Sequence, residues 1–118
     1  MKFVALVALV AAIAVPTALG SSSTASAVTL NGTVGPGFTI TLKLAGKKVT
    51  NLKAGTYTFV IADKSSIHNF HLTGPGVNKL TSTPKTGTFT WVLTLKKGAY
   101  KYVCDPHASF MKGSFTVS

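Results

Sequence analysis

Cys104 is the only cysteine in the chain, and the residues that follow it hold most of its chemistry. They read Cys104-Asp105-Pro106-His107-Ala108-Ser109-Phe110-Met111, so a thiol, an imidazole and a thioether fall within eight residues. A second imidazole, His68, lies upstream in Ser66-Ile67-His68-Asn69-Phe70. Thiolate and imidazole bind both Cu(I) and Cu(II), and a weak axial thioether tunes the potential between them. His68, Cys104, His107 and Met111 are therefore the candidate ligands of one copper ion. No paired-carboxylate site, phosphate loop or Ser/His/Asp constellation competes with them.

Each residue alone has a plainer reading. Met111 could be core filler. Cys104 and His107 could pair as nucleophile and base, but they stand three apart across a strand end, with only exposed-looking Asp105 to orient them. Zinc takes cysteine and histidine, but it usually recruits more cysteine or carboxylate, and methionine is a poor zinc ligand. The four residues together are much more specific than any one.

The elements that must position them are strands. From Val28 onward the pattern is β throughout. Phe38, Ile40, Leu42 and Leu44 alternate with Thr39, Thr41 and Lys43. The same period of two runs through Tyr57–Phe59–Ile61, Phe89–Trp91–Leu93–Leu95, Tyr100–Tyr102–Cys104 and Phe115–Val117. Such alternation marks strands with one buried and one wet face. Breaks fall at Gly35-Pro36-Gly37, Ala45-Gly46-Lys47, Lys53-Ala54-Gly55 and Lys96-Lys97-Gly98. Gly74 to Gly87 reads as a long surface connection. Seven to eight short strands imply an all-β, two-sheet Greek-key sandwich.

Parity chooses between the upstream histidines. In Ile67-His68-Asn69-Phe70-His71-Leu72, His68 shares a face with Phe70 and Leu72, and His71 shares the other with Ile67 and Asn69. If Phe70 and Leu72 point inward, so does His68, and His71 points out. A bulge would undo this. Cys104 lies on the inward face at the end of its strand, which Pro106 terminates. His107 and Met111 then sit on the loop before the last strand.

The first residues are of another kind. Met1-Lys2 is basic, Phe3 to Ala18 is almost wholly apolar, and Ala25-Ser26-Ala27 closes a small polar stretch. That order is a secretory signal peptide, residues 1–27, with a copper-binding domain over 28–118. Export to the periplasm, cell surface or medium is the expectation. A lone free thiol outside the cytosol would be oxidised unless it is buried or metal-bound.

All twelve basic residues are lysines, the acids are Asp63 and Asp105, and the net charge is +10. Losing Lys2 with the leader leaves eleven lysines against two acids, or +9. The lysines are scattered and arginine is absent, which argues against nucleic acid. An acidic redox protein or an anionic cell surface is the expected partner of a monomer. Asn31-Gly32-Thr33 matches a glycosylation sequon, a pattern common by chance.

The chain resembles the cupredoxins, specifically the plastocyanin/azurin-like small bacterial blue-copper proteins, from Gly37 to the C-terminus. The resemblance is strongest in His68-Asn69-Phe70, in Tyr100-Lys101-Tyr102-Val103-Cys104-Asp105-Pro106-His107, and in Met111-Lys112-Gly113. It implies His68 and His107 as imidazole ligands, Cys104 as thiolate and Met111 as axial ligand. It implies that Asn69 braces the ligand loop by hydrogen bonding. The implied role is one-electron transfer between larger redox proteins, not enzymatic catalysis. The alternative is copper binding and delivery without an electron partner. Val103 stands where plant plastocyanins carry an aromatic, and lysines stand where they carry acids, so a photosynthetic partner is not implied.

Overall fold

Alternation builds two sheets that bury their threonine-free faces against each other. The computed structural model describes residues 27–118, and the expected leader lies outside them but for Ala27. The strands are β1 (Val28–Val34), β2 (Ile40–Leu44), β3 (Lys47–Lys48), β4 (Asn51–Leu52) and β5 (Gly55–Asp63). After them come β6 (His71–Gly74), β7 (Val77–Leu80), β8 (Gly87–Leu95), β9 (Gly98–Val103) and β10 (Lys112–Val117). One sheet has the order β3-β2-β1-β5-β8 and the other β4-β10-β9-β6-β7. Both are mixed, because β1 runs parallel to β5 and β4 parallel to β10.

β5 shows the principle most clearly. Tyr57, Phe59, Ile61 and Asp63 are buried, while Thr58, Val60 and Ala62 lie on the other face. Burying a side chain such as Phe59 contributes about 1.5–3 kcal/mol. From the opposite sheet, Tyr100 and Tyr102 stack flat on Phe115 and Phe70, with ring centres 5.2 and 5.4 Å apart. Gly74 and Gly113 leave room for these rings, since a β-carbon at either would collide with Tyr100 or Tyr102. The Tyr100 hydroxyl donates to the Lys96 carbonyl at 2.8 Å and accepts from the Lys96 N–H at 2.9 Å, pinning the β8–β9 corner.

The all-β sandwich agrees with the sequence reading, with ten strands instead of seven to eight. β3 and β4 are two residues each, too short for a period to register. Gly74 to Gly87 is also not one long connection. Gly74-Pro75-Gly76-Val77 turns a hairpin between β6 and β7, and only residues 81–86 remain as loop. Phe38 precedes β2 and is 58% exposed, although its alternation with Ile40 and Leu42 placed it among the inward residues.

A polar clasp ties β6 and β7 to the β9–β10 loop. Asn69 Nδ2 donates to Asp105 Oδ2 at 2.7 Å, and the Asp105 N–H donates back to Asn69 Oδ1 at 2.7 Å. His71 Nδ1 lies 2.9 Å from Asp105 Oδ1, and its Nε2 lies 2.6 Å from Asn78 Oδ1. Both ring nitrogens thus face acceptors, which suits the imidazolium. Burial works against that charge, but Asn78 and Asp105 outweigh it and hold the His71 pKa above its ordinary value. Burial likewise opposes the Asp105 carboxylate, but the hydrogen bonds from Asn69 and His71 and the His71 charge leave its pKa lowered.

These directions define a pH window. A lowered Asp105 stabilises the fold above the ordinary carboxylate value of 3.8, and that contribution is lost as pH falls. A raised His71 stabilises it below the ordinary histidine value of 6.5, and that contribution is lost as pH rises through the folded-state pKa. The pair therefore contributes most between those two values. His71→Gln should cost more stability inside that window than at alkaline pH. Urea unfolding of both proteins at several pH values checks this, and His68 and His107 cancel in the difference. A cost independent of pH would mean that His71 acts only through neutral hydrogen bonds.

Candidate metal centre

The ligand loop is a hairpin connection tied shut by its own backbone. Cys104 follows β9 with extended torsions, and Asp105–His107 form one 3-10 turn with Pro106 in its first positions. Proline suits this place, because the start of a helical turn leaves its N–H without a partner. The His107 N–H donates to the Cys104 carbonyl at 3.0 Å and the Met111 N–H to the His107 carbonyl at 2.9 Å. The Cys104 N–H then donates to the Met111 carbonyl at 3.0 Å, which closes the loop at its base. Residues 104–111 thus have few ways to move apart.

His68 arrives from the β5–β6 connection, which is also pinned. Asp63 accepts from the Ser65 N–H at 3.2 Å and from the Thr81 hydroxyl at 3.1 Å. Thr81 in turn accepts from the Phe70 N–H at 2.8 Å. The His68 N–H donates to the Ser65 carbonyl at 3.3 Å. Burial raises the Asp63 pKa, opposed by the hydrogen bonds from Ser65 and Thr81.

Three donor atoms meet between the two segments. Cys104 Sγ lies 3.6 Å from His68 Nδ1 and 3.5 Å from His107 Nδ1, and the two nitrogens are 3.1 Å apart. A triangle with these sides has its centre about 2.0 Å from each corner, the length of a bond from a transition metal to imidazole nitrogen and close to that for sulfur. Cys104 and His68 are wholly buried and His107 is half-buried. The other His68 nitrogen, Nε2, is buried with no hydrogen-bond partner among the described residues, so the ring's only polar contacts are through Nδ1. Two imidazoles and a thiol aiming lone pairs at one point fit a cation, and this soft, mixed donor set fits copper.

Phe38 closes the centre from outside. Its ring meets His68 and His107 edge-on, with centroids 5.2 and 5.0 Å away, and lies 5.9 Å from Phe110. Phe110 is 59% exposed and also leans on His107, at 5.7 Å. The half-buried imidazole thus opens within an apolar collar.

The structure brings together His68, Cys104 and His107 as the sequence suggested, and leaves His71 outside in the Asn69–Asp105 clasp. Met111 is buried on the closed loop. Strand parity, however, was not what turned His68 inward. Residues 64–70 form no strand, and His68, Asn69 and Phe70 are buried in succession. Asn69, which parity placed outside, is drawn in by its bonds to Asp105. Sequence reasoning missed two contributors. Phe38 carried no signal beyond following the Gly35-Pro36-Gly37 break. Asp105 carried one, since an acid beside the candidate thiolate is one of only two in a strongly basic chain.

Comparison with known proteins agrees with this geometry. The family described as copper binding proteins, plastocyanin/azurin family, matches residues 42–118. Among solved structures, reduced rusticyanin aligns at 22% identity and a TM-score of 0.53, covering 78% of this chain and 79% of its own. Rusticyanin from Thiobacillus ferrooxidans, solved at 1.27 Å, aligns at 24% identity and a TM-score of 0.51, covering 78% and 77%. Dithionite-reduced auracyanin from the photosynthetic bacterium Roseiflexus castenholzii aligns at 20% identity and a TM-score of 0.55, covering 78% of this chain and 98% of its own. A search of the curated proteins gives no match. The structural likenesses speak for the fold, and the family match spans most of the sandwich and the whole ligand loop. The chain belongs to the plastocyanin/azurin family of copper-binding proteins, and its cofactor is a single copper ion.

Proposed function

We propose that the protein is an exported one-electron carrier between redox proteins, in which His68, Cys104, His107 and Met111 would hold the copper. The observation that carries this reading is the preset triangle of donors on two pinned segments. Bound copper supplies reversible one-electron chemistry. The chain's own residues fix the donors so that neither oxidation state requires them to move, and a site that moves little exchanges electrons quickly. The clasp from Asn69 to Asp105 holds the turn that carries His107. Phe38 and Phe110 keep water from the half-exposed imidazole, whose edge is the shortest way in and out for an electron.

Copper(II) should give an intense blue thiolate-to-copper absorption, and Cys104→Ser should abolish it. His68→Ala should impair the centre far more than His71→Ala. Met111→Gln should retain copper and lower the potential, because an axial ligand tunes more than it holds. Absorption spectra and redox titration of the four variants read this out. Equal loss of colour in the two histidine variants would remove His68 from the ligand set.

The partner is an acidic redox protein. Lys43, Lys48, Lys101 and Lys112 line neighbouring shallow depressions beside the ligand loop, together with Ile40, Tyr102 and Val103. Such a face attracts acidic surfaces over a Debye length, about 30 Å in 0.01 M salt and about 3 Å in 1 M. Electron transfer to the physiological partner should slow by about tenfold or more as salt rises over that range. Lys112→Glu should slow it at low salt, while Phe110→Ala should act at all salt concentrations. Stopped-flow rates decide, and a flat or rising rate would assign the lysines to solubility or the cell surface instead.

Export follows from the basic–apolar–small-residue order of residues 1–27. The protein recovered outside the cytoplasm should begin at Val28. Intact mass checks this, and a full-length mass in the membrane fraction would establish an anchor.

A further inference from the structure

Three of the four sheet edges carry the usual protection against pairing with another chain. β3 is two residues, both lysines, and β4 is two residues. β7 is four residues and includes Lys79. Short strands and lysines are the devices by which proteins blunt an edge. The fourth edge, β8, has none of them. It runs nine residues as Gly-Thr-Phe-Thr-Trp-Val-Leu-Thr-Leu, with no charge and no proline. It pairs with β5 without interruption from Gly55↔Leu95 to Asp63↔Gly87, so no bulge twists it away. Among the described residues nothing pairs with its outer side.

We infer that β8 is a pairing edge for a second copy of this chain, joining two molecules antiparallel into one continuous sheet. Charge selects the occupant. Two copies at about +9 each repel wherever lysines face lysines, and they can approach only where neither carries charge. β8 is such a place, and the outward residues beside it are uncharged too: Thr88, Thr90, Val92 and Thr94 next to Thr56 and Thr58 of β5. An acidic partner would find no lysine along it. Lys85, Lys96 and Lys97 lie just beyond its two ends, where a two-fold pairing about Trp91 would bring Lys85 of one copy towards Lys97 of the other, so repulsion confines the pairing to Gly87–Leu95 and salt should relieve it.

The strand is also self-complementary, as a two-fold interface requires. Paired antiparallel about Trp91, it sets Trp91 against Trp91, Phe89 against Leu93, Thr90 against Val92 and Thr88 against Thr94. Phe89, Trp91 and Leu93 pack on the core but are only half-buried, and Val92 is 66% exposed. A second copy would take this apolar surface out of water. The inference departs from the expectation of a monomer, and none of the copper ligands lies in β8.

Sedimentation of the copper-loaded protein from micromolar to millimolar concentration tests the inference. A dimer is expected at the upper end, and its fraction should rise with salt as the lysines are screened. Attraction to an acidic partner would respond in the opposite sense. Trp91 is the only tryptophan, so its fluorescence should shift with dimerisation. Thr90→Lys with Val92→Lys should weaken association at least tenfold without lowering the urea midpoint. Thr29→Lys, outward on β1 away from the edge, should leave it intact. A monomer mass at every concentration and salt would overturn the inference. So would a dimer untouched by the edge lysines, or one that Thr29→Lys disrupts equally, which would mean stacking of sheet faces.

Discussion

Two imidazole nitrogens and a sulfur point their lone pairs at one spot in a nearly dry interior, and the fold must hold them there. Their hydrogen-bonding reach is spent on one another, the buried His68 Nε2 has no partner among the described residues, and burying a polar group without compensation costs about 2–7 kcal/mol. The distances of 3.1 to 3.6 Å among them are therefore not what packing alone would choose. Each arm needs its own anchor. On the ligand loop the anchor is the Cys104–Met111 backbone bond. On the β5–β6 connection it is the chain from Phe70 through Thr81 to Asp63. Between the arms it is the reciprocal bond of Asn69 and Asp105. A cation at the centre would take up these lone pairs, so metal binding and folding would reinforce each other.

The sandwich supplies what these anchors hang from. Phe70 follows directly on His68 and Asn69, and its ring lies flat on Tyr102 two residues before Cys104. The core stack thus joins the two arms on the apolar side, as the Asn69–Asp105 clasp joins them on the polar side. Neither segment could be displaced without breaking both. That double attachment makes the centre rigid with loops on each side of it, which is the condition for a site whose ligands keep their places through a change of charge.

Much of this was legible in the sequence, though not always for the right reason. The alternation of Tyr57, Phe59 and Ile61, and of Tyr100, Tyr102 and Cys104, gave the buried faces directly, because a long strand repeats its signal. Cys104, His107 and Met111 were visible because a single short loop carries all three. β3 and β4 were not, since two residues have no period. His68 was assigned inward by a strand parity that does not exist there. The tertiary bonds of Asn69 overrode the local alternation and buried three consecutive residues. Phe38 shows the same limit from the other side. Its type suggested core, but its contacts are the rings of His68 and His107, which lie far off in sequence.

The two acids explain why the surface charge is so one-sided. Asp63 is buried and spends both oxygens on Ser65 and Thr81, and Asp105 is bound by Asn69 and His71. Both serve to pin the ligand-bearing segments, and neither is free to offset a lysine elsewhere. Among the described residues the exposed charge is therefore almost wholly lysine, with no acid spaced between to soften repulsion between copies. In such a molecule an uncharged stretch is as informative as a charged one. Lysines gather around the ligand loop, whereas the β8 edge carries no charge along its whole length. The sequence separates the two kinds of surface by keeping charge out of Gly87–Leu95 and placing it just beyond each end.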